Sequence, residues 1–301
     1  EVFDGKRVVE LGTGSGWISL VLLQRTAVRE VLGLDINPVA VLTANLNKWL
    51  NGTESDGTLK MTPAGIPLVD AFRAELSDLL SVVLDSGARF DHIVGCIPQV
   101  LHPNPQRVGD HHVLSSQDLY DLSNYCFQQG ILEDRFGLPL IARALEEAQV
   151  CLKPGGALML ILGGRPGSAA IEEMFRRRGY LPQLWWTRRI PQADDTDLAQ
   201  LVNLESTYNI KFHFFMSDSS KESVPAATAV MLQGKGQKIF HDLLVYTAQT
   251  KFERPTLSFV RGLHKLELDT RKELDFSRCA EEQISFLDRM VAGLLASNTL
   301  P

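Results

Sequence analysis

The sequence predicts a layered α/β domain built on a mainly parallel sheet, and three observations predict it. Apolar runs of strand length alternate with helix-length segments as far as Met216, the pattern of strands joined by helical crossovers. A glycine-rich turn, Gly12-Thr13-Gly14-Ser15-Gly16, links the first run to an apolar helix. An acid, Asp35, ends the second run 19 residues beyond Gly16, where a carboxylate can accept both hydroxyls of a ribose.

The elements follow in order. Lys6–Leu11 reads as a short buried strand and Trp17–Gln24 as the helix after the glycine turn. Val28–Ile36 is a second strand. Asn37 is an N-cap with Pro38 at the first helical position, so a helix runs over Val39–Leu50. Asn51–Pro67, rich in Gly, Ser, Thr and Pro, is a surface loop. Phe72–Leu76 is a third strand, leading through Ser77-Asp78 into a helix, and Phe90–Cys96 is a fourth, stopped at Ile97-Pro98-Gln99. Helices are expected over Leu114–Cys126 and Leu138–Cys151, a turn at Lys153-Pro154-Gly155-Gly156, a fifth strand at Ala157–Leu162 and a helix at Ser168–Arg178. Leu184–Ile190 and Lys211–Met216 read as the last two strands. Beyond Met216 the reading changes to a mainly helical appendage over residues 217–301, with helices at Lys235–Gln249 and Glu281–Ala296.

Composition excludes several classes. The 301 residues are 45% hydrophobic and 22% charged, a globular balance. The net charge of -6 lacks the basic excess of a general nucleic-acid binder. No apolar run approaches the roughly 18 residues of a membrane helix, so no membrane partner is expected. Cys96, Cys126, Cys151 and Cys279 are far apart. They suit reduced thiols in the cytoplasm rather than a zinc site or disulfide framework. His111-His112 has no acid or thiol partner at ligand spacing, so no metal is expected. The chain begins without Met, shows no targeting segment and reads as a trimmed piece of a longer protein.

The turn does not fit a nicotinamide-type G-x-G-x-x-G, whose third glycine would fall at Trp17. Glu10-Leu11-Gly12-Thr13-Gly14-Ser15-Gly16 instead resembles the E-x-G-x-G-x-G loop of class I S-adenosylmethionine-dependent methyltransferases. That resemblance implies a Rossmann-like, seven-stranded, mostly parallel sheet with helices on both faces, in strand order 3-2-1-4-5-7-6 with strand seven antiparallel. It implies S-adenosylmethionine as cofactor and S-adenosylhomocysteine as product. The cofactor contacts it implies are Glu10, Gly12, Gly14, Gly16 and Trp17 at the loop, Asp35, Ile36 and Asn37 at the ribose, Ser77, Asp78 and Leu79 at adenine, and Cys96, Ile97 and Pro98 at the methyl end. Taken alone, the glycines make a tight turn and Asp35 is a surface acid; loop, spacing and the Ser77-Asp78 pair together favour the cofactor.

The acceptor side departs from a known pattern. Methyltransferases acting on nitrogen carry Asn-Pro-Pro-Tyr after strand four, where this chain has Cys96-Ile97-Pro98-Gln99. Residues from Gly137 to Gly167 resemble release-factor glutamine N-methyltransferases. The strings IVGCIPQVLHPNP, LSNYCFQQGILEDRFGLPLIARALEEA, GGRPG and QADDTDLAQLV resemble more closely the N-terminal methyltransferase region of methionine S-methyltransferases. That resemblance covers Lys6 to about Met216 and, more weakly, the tail. It implies free L-methionine as acceptor, S-methylmethionine as product, and a parent chain with a domain downstream. A thioether has a lone pair and no proton to lose, so no general base is expected, only positioning in a dry site.

Handles for the substrate carboxylate and ammonium are sought in Arg165, Asn124, Tyr125, Gln129, Glu133-Asp134, Asp194, Asp195 and Asp197. Arg165 is the choice for the carboxylate, with Tyr125 and Asp134 near the cation. The bland readings are a loop-capping Arg165, a solvated Glu133-Asp134 pair, and Tyr125 and Cys126 in the core. Cys96 is expected to be a small buried hydrophobe. Arg176-Arg177-Arg178 reads as a solvated face, and of Trp185-Trp186 one is expected inside and one outside. Two rival functions are an N-methyltransferase and a non-catalytic module that senses S-adenosylmethionine.

Overall fold

The computed structural model describes residues 1–99, 132–193 and 198–250. Seven strands form one sheet: β1 (Arg7–Leu11), β2 (Glu30–Asp35), β3 (Phe72–Leu76), β4 (Phe90–Gly95), β5 (Leu152–Gly163), β6 (Tyr180–Pro191) and β7 (Phe240–Thr250). Their order is β3-β2-β1-β4-β5-β7-β6, the order implied by the resemblance. The pairs β1–β2, β1–β4, β2–β3 and β4–β5 are parallel, and β7 runs antiparallel to both β5 and β6. The helices are α1 (Trp17–Arg25), α2 (Pro38–Gly52), α3 (Leu68–Ala71), α4 (Ser81–Ser86), α5 (Pro139–Cys151), α6 (Ser168–Arg177), α7 (Ala199–Tyr208) and α8 (Ala226–Gly234).

β1 and β2 are central and buried on both faces, which is why they read as near-continuous apolar runs rather than alternating ones. One side of the sheet packs Val9, Leu32, Ile93, Leu158 and Tyr246 with α5 and α6 side chains such as Ile141, Leu145 and Phe175. The other side packs Val8, Val31, Phe72 and Val94 with Leu20, Leu23 and Ala44 of α1 and α2. α2 starts as expected: Asn37 Oδ1 accepts the Val39 N–H at 2.9 Å, and Pro38 follows at the first helical position. No helix among the described residues is long and apolar enough to cross a membrane.

Three sequence readings are corrected. The seventh strand is Phe240–Thr250, not Lys211–Met216, and it replaces the helix expected over Lys235–Gln249. The sheet therefore runs past Met216, through part of the segment read as a helical appendage. Leu244, Tyr246 and Ala248 are buried on alternate positions, a period-2 signal that only the flanking β5 and β6 make decisive. Residues 211–216 instead carry single bridges, Phe214 to Val224 and Phe215 to Phe240. Phe212 and Phe214 close a small separate core with Leu201, Leu204, Ala226 and Ala229.

Trp185 and Trp186 are both exposed, at 61% and 48%. β6 is the sheet's edge, and its register against β7 shifts between Leu184 and Trp186. A bulge breaks the in-out alternation.

Arg178 is 2% exposed, not solvated, and Glu133 is 3% exposed. Arg178 Nη1 donates to Glu133 Oε1 at 2.8 Å and its Nε to Glu146 Oε1 at 2.8 Å, with Arg177 Nη1 3.2 Å from Glu133 Oε2. Burial alone would raise the Glu133 carboxyl, but the Arg178 and Arg177 charges hold it below its ordinary value. The two features read as solvated faces are partners in one buried cluster. The expected helices at Leu114–Cys126 and Glu281–Ala296 lie outside the described residues.

Candidate functional site

At the carboxyl ends of β1 and β2 the glycine loop and Asp35 meet. Asp35 Oδ2 accepts the Gly14 N–H at 2.9 Å, and Oδ1 accepts the Asn37 N–H at 2.9 Å. The carboxylate is thus fixed by the loop on one side and the α2 entry on the other. Gly12, at φ 67°, sits where a Cβ would come 3.2 Å from Ile97 Cγ2 and 3.4 Å from the Cys96 carbonyl. The loop after β1 therefore presses against the loop after β4. Gly14, at φ 55°, has nothing within 4 Å of a would-be Cβ. Its glycine serves the left-handed backbone and leaves open space above the loop, beside Asp35. That open floor, bordered by backbone and one carboxylate, suits a ribose and its neighbours without a phosphate.

Glu10 faces inward. Its Oε2 accepts Thr13 Oγ1–H at 2.8 Å, the Ser19 N–H at 3.1 Å and the Ser19 hydroxyl. Burial raises its carboxyl, against the lowering effect of the Ser19 and Thr13 hydrogen bonds. Its carboxylate braces the loop against α1. Gly16 is the left-handed N-cap of α1, Trp17 is 69% exposed beside it, and Ile36 is half-buried next to Asp35.

The loop after β3 lies next to Asp35, because the Ser77 N–H donates to the Asp35 carbonyl at 2.9 Å. The Ser77 hydroxyl donates to the Leu79 carbonyl at 2.9 Å. Leu79 has φ 45°, a left-handed conformation uncommon for leucine. Asp78 is half-buried and pairs with Arg143 of α5 at 3.0 Å.

After β4, Ile97 is buried and Pro98 half-buried, while Cys96 is exposed rather than packed inside. Gln99, at the position of the nitrogen enzymes' tyrosine, donates its Nε2–H to the Gly163 carbonyl at 2.9 Å. This side chain ties the β4 loop to the end of β5.

Arg165 is half-buried two residues past β5, and its carbonyl accepts the His213 N–H at 2.8 Å. His241, at the start of β7, was not singled out from the sequence, because its strand was not. Its Nδ1 is buried with no hydrogen-bond partner, and burial and the Arg165 charge push the imidazole down to about 4. A neutral imidazole and a guanidinium thus share the end of the sheet that carries the loops. Asp134 sits half-buried on a single 3-10 turn, Leu132–Phe136, beside the structural Glu133. Tyr125, Asn124, Gln129, His111-His112, Asp194, Asp195 and Asp197 lie outside the described residues.

A family model, ribosomal protein L11 methyltransferase, matches residues 2–77. That span contains β1 to β3 and the glycine loop. The chain is 39% identical over 306 aligned residues to the methionine S-methyltransferase of Zea mays, covering all of this chain and 28% of the relative. With that of Arabidopsis thaliana the identity is 36%, again over the whole chain and 29% of the relative. The strand order and the glycine loop are those of the class I methyltransferase fold. The chain spans under a third of the length of those relatives. Among solved structures, a ribosomal protein L11 methylase from Lactobacillus delbrueckii subsp. bulgaricus superposes with a TM-score of 0.38 at 12% identity, over 82% of this chain and 70% of that one.

Proposed function

We propose that this chain transfers a methyl group from S-adenosylmethionine to the thioether sulfur of free L-methionine, giving S-methylmethionine and S-adenosylhomocysteine. The observation that carries this reading is the loop after β4. It offers a thiol, an isoleucine, a proline and a glutamine whose amide N–H is given to Gly163. Cys96–Gln99 has neither the asparagine nor the tyrosine side chain that the nitrogen enzymes place there. A sulfur acceptor has no proton to lose, so such a loop suffices. The whole-chain likeness to methionine S-methyltransferases supports the same acceptor.

S-adenosylmethionine, when bound, supplies the electrophilic methyl on its sulfonium. The chain's residues supply position. Asp35 takes the ribose hydroxyls. Gly12, Gly14 and Gly16 let the backbone approach, with Glu10 bracing the loop from below and Trp17 at its far end. Ile36 and Asn37 border the ribose. Ser77, Asp78 and Leu79 face the adenine. Cys96, Ile97 and Pro98 border the methyl end, and the apolar pair Ile97-Pro98 keeps water from it. Arg165 takes the acceptor carboxylate, with Asp134 and Tyr125 near its ammonium.

Two further readings belong with this one. The short span relative to the relatives supports a longer parent protein. The free thiols Cys96 and Cys151 support a reducing, cytoplasmic setting.

The test is methyl transfer from labelled S-adenosylmethionine to L-methionine, with the product identified by mass. S-Methylmethionine formed by the chain and lost in Arg165→Ala at low methionine supports the acceptor reading. Cofactor binding without product on L-methionine sinks it and favours a sensing module or another acceptor.

A further inference from the structure

The loop Ser77–Leu80 holds a shape that its own residues do not favour. Leu79 is left-handed at φ 45°, a conformation that an L-residue with a Cβ rarely adopts. Ser77 closes the loop from within through its hydroxyl to the Leu79 carbonyl. Two further anchors come from α5, more than sixty residues later in the chain. Glu147 Oε2 accepts the Leu80 N–H at 2.9 Å. Glu147 Oε1 accepts Arg143 Nε–H at 2.7 Å, and Arg143 Nη2 lies 3.0 Å from Asp78 Oδ2. Glu147 is fully buried and Arg143 nearly so. One guanidinium therefore bridges the loop's acid to a buried acid, which in turn grips the loop's backbone.

We infer that Arg143 and Glu147 are positioning residues for the nucleobase. They hold Asp78 and the Leu79–Leu80 backbone in the one arrangement that reads the edge of the adenine. This rests on the proposed cofactor site. Neither residue needs to touch the cofactor. A buried carboxylate spanning two turns of α5 and a loop amide is more than packing requires, since an apolar residue of that size avoids the desolvation cost. The gain is a fixed loop, prepared before the ligand arrives.

The experiment compares binding of S-adenosylhomocysteine with its deaminated counterpart, S-inosylhomocysteine, by calorimetry on the full chain. Two variants are used, Glu147→Gln and the double Arg143→Met/Glu147→Gln. The double variant leaves no uncompensated buried charge, so it reads the loop even where the single variant does not fold. The wild-type chain is expected to prefer the adenine form. Both variants are expected to lose about ten-fold in affinity for S-adenosylhomocysteine and under two-fold for the inosine form, erasing the preference. Equal losses for both ligands assign the pair a structural role and overturn the inference, as does unchanged affinity. A wild-type chain that binds neither ligand overturns the cofactor reading itself, a separate outcome from variants that bind like wild type.

Discussion

The two halves of the sheet are held in place in different ways. On the β1–β2–β3 side the parts are short-range and made of backbone: a left-handed glycine loop, an Asn37 cap, and Asp35 gripping the Gly14 and Asn37 amides. On the β5–β7–β6 side they are long-range and made of side chains. Gln99 reaches 64 residues to Gly163, and Arg178 reaches 45 residues to Glu133. The difference teaches that backbone conformation advertises itself in residue type, whereas a side-chain pair does not announce its partner.

Breaking the second kind of contact is expected to cost most. Arg178→Ala removes the guanidinium that bonds both Glu133 and Glu146, leaving Glu133 buried beside Arg177. A loss of about 3–5 kcal/mol is expected, the range for breaking a buried pair, measured by urea unfolding at neutral pH. A loss under 1 kcal/mol would erase the contrast between the halves.

The next effect is one of pH. Burial raises the Glu147 carboxyl from 4.5 to about 7, against the lowering pull of Arg143. The folded protein thus binds this proton more tightly than the unfolded chain does. Stability from this group is fully present below about pH 4.5 and is lost as pH rises to about 7, in total roughly 3 kcal/mol at about 1.4 kcal/mol per unit. In Glu147→Gln that loss vanishes, so the variant gains on wild type as pH rises through this window. Glu133, whose carboxyl is lowered, works in the opposite sense in both proteins and cancels in the comparison. A stability difference that is flat with pH would show Glu147 ionised throughout. Together with weaker binding, a gain at neutral pH would mark Glu147 as stability given up for position.

Asp35→Ala strikes the backbone-built side. It removes the acceptor of the Gly14 and Asn37 amides and, in the proposed site, of the ribose hydroxyls. About a hundred-fold loss of S-adenosylhomocysteine affinity is expected, near 2.7 kcal/mol, with the fold retained in circular dichroism. The smallest effect is expected at Gln99→Ala, which frees the β4 loop from β5. It should raise the acceptor's apparent KM a few-fold and leave cofactor affinity unchanged. A drop in cofactor affinity instead would place Gln99 on the other side of the comparison.

Much of the β1–β2–β3 side is legible in the sequence. Glycines in Gly12–Gly16, a cap at Asn37 followed by Pro38, and an acid ending a strand all state local conformation, and the structure joins them as the motif implies. The errors fell where meaning depends on distant chain. Lys235–Gln249 reads as helix, although Leu244, Tyr246 and Ala248 alternate, because a strand inserted between β5 and β6 is recognisable only beside its neighbours. Arg178 and Glu133 each looked solvated, because a charge reads as exposed until its partner is known. Trp185-Trp186 reads as one residue inside and one outside, because a bulge cannot be seen in composition. Arg143 and Glu147 stand four residues apart on α5, and nothing in that spacing names the loop they hold.

The sequence by itself determined the parallel α/β core, the glycine loop and the carboxylate that meets it, since these follow from local backbone preferences and the burial of apolar runs. The tertiary structure decided which strand closes the sheet, which charges are buried, and what holds the loop after β3. Those outcomes depend on the free energy of groups brought together from 45 or more residues apart, and desolvation makes that energy large only once the groups are enclosed.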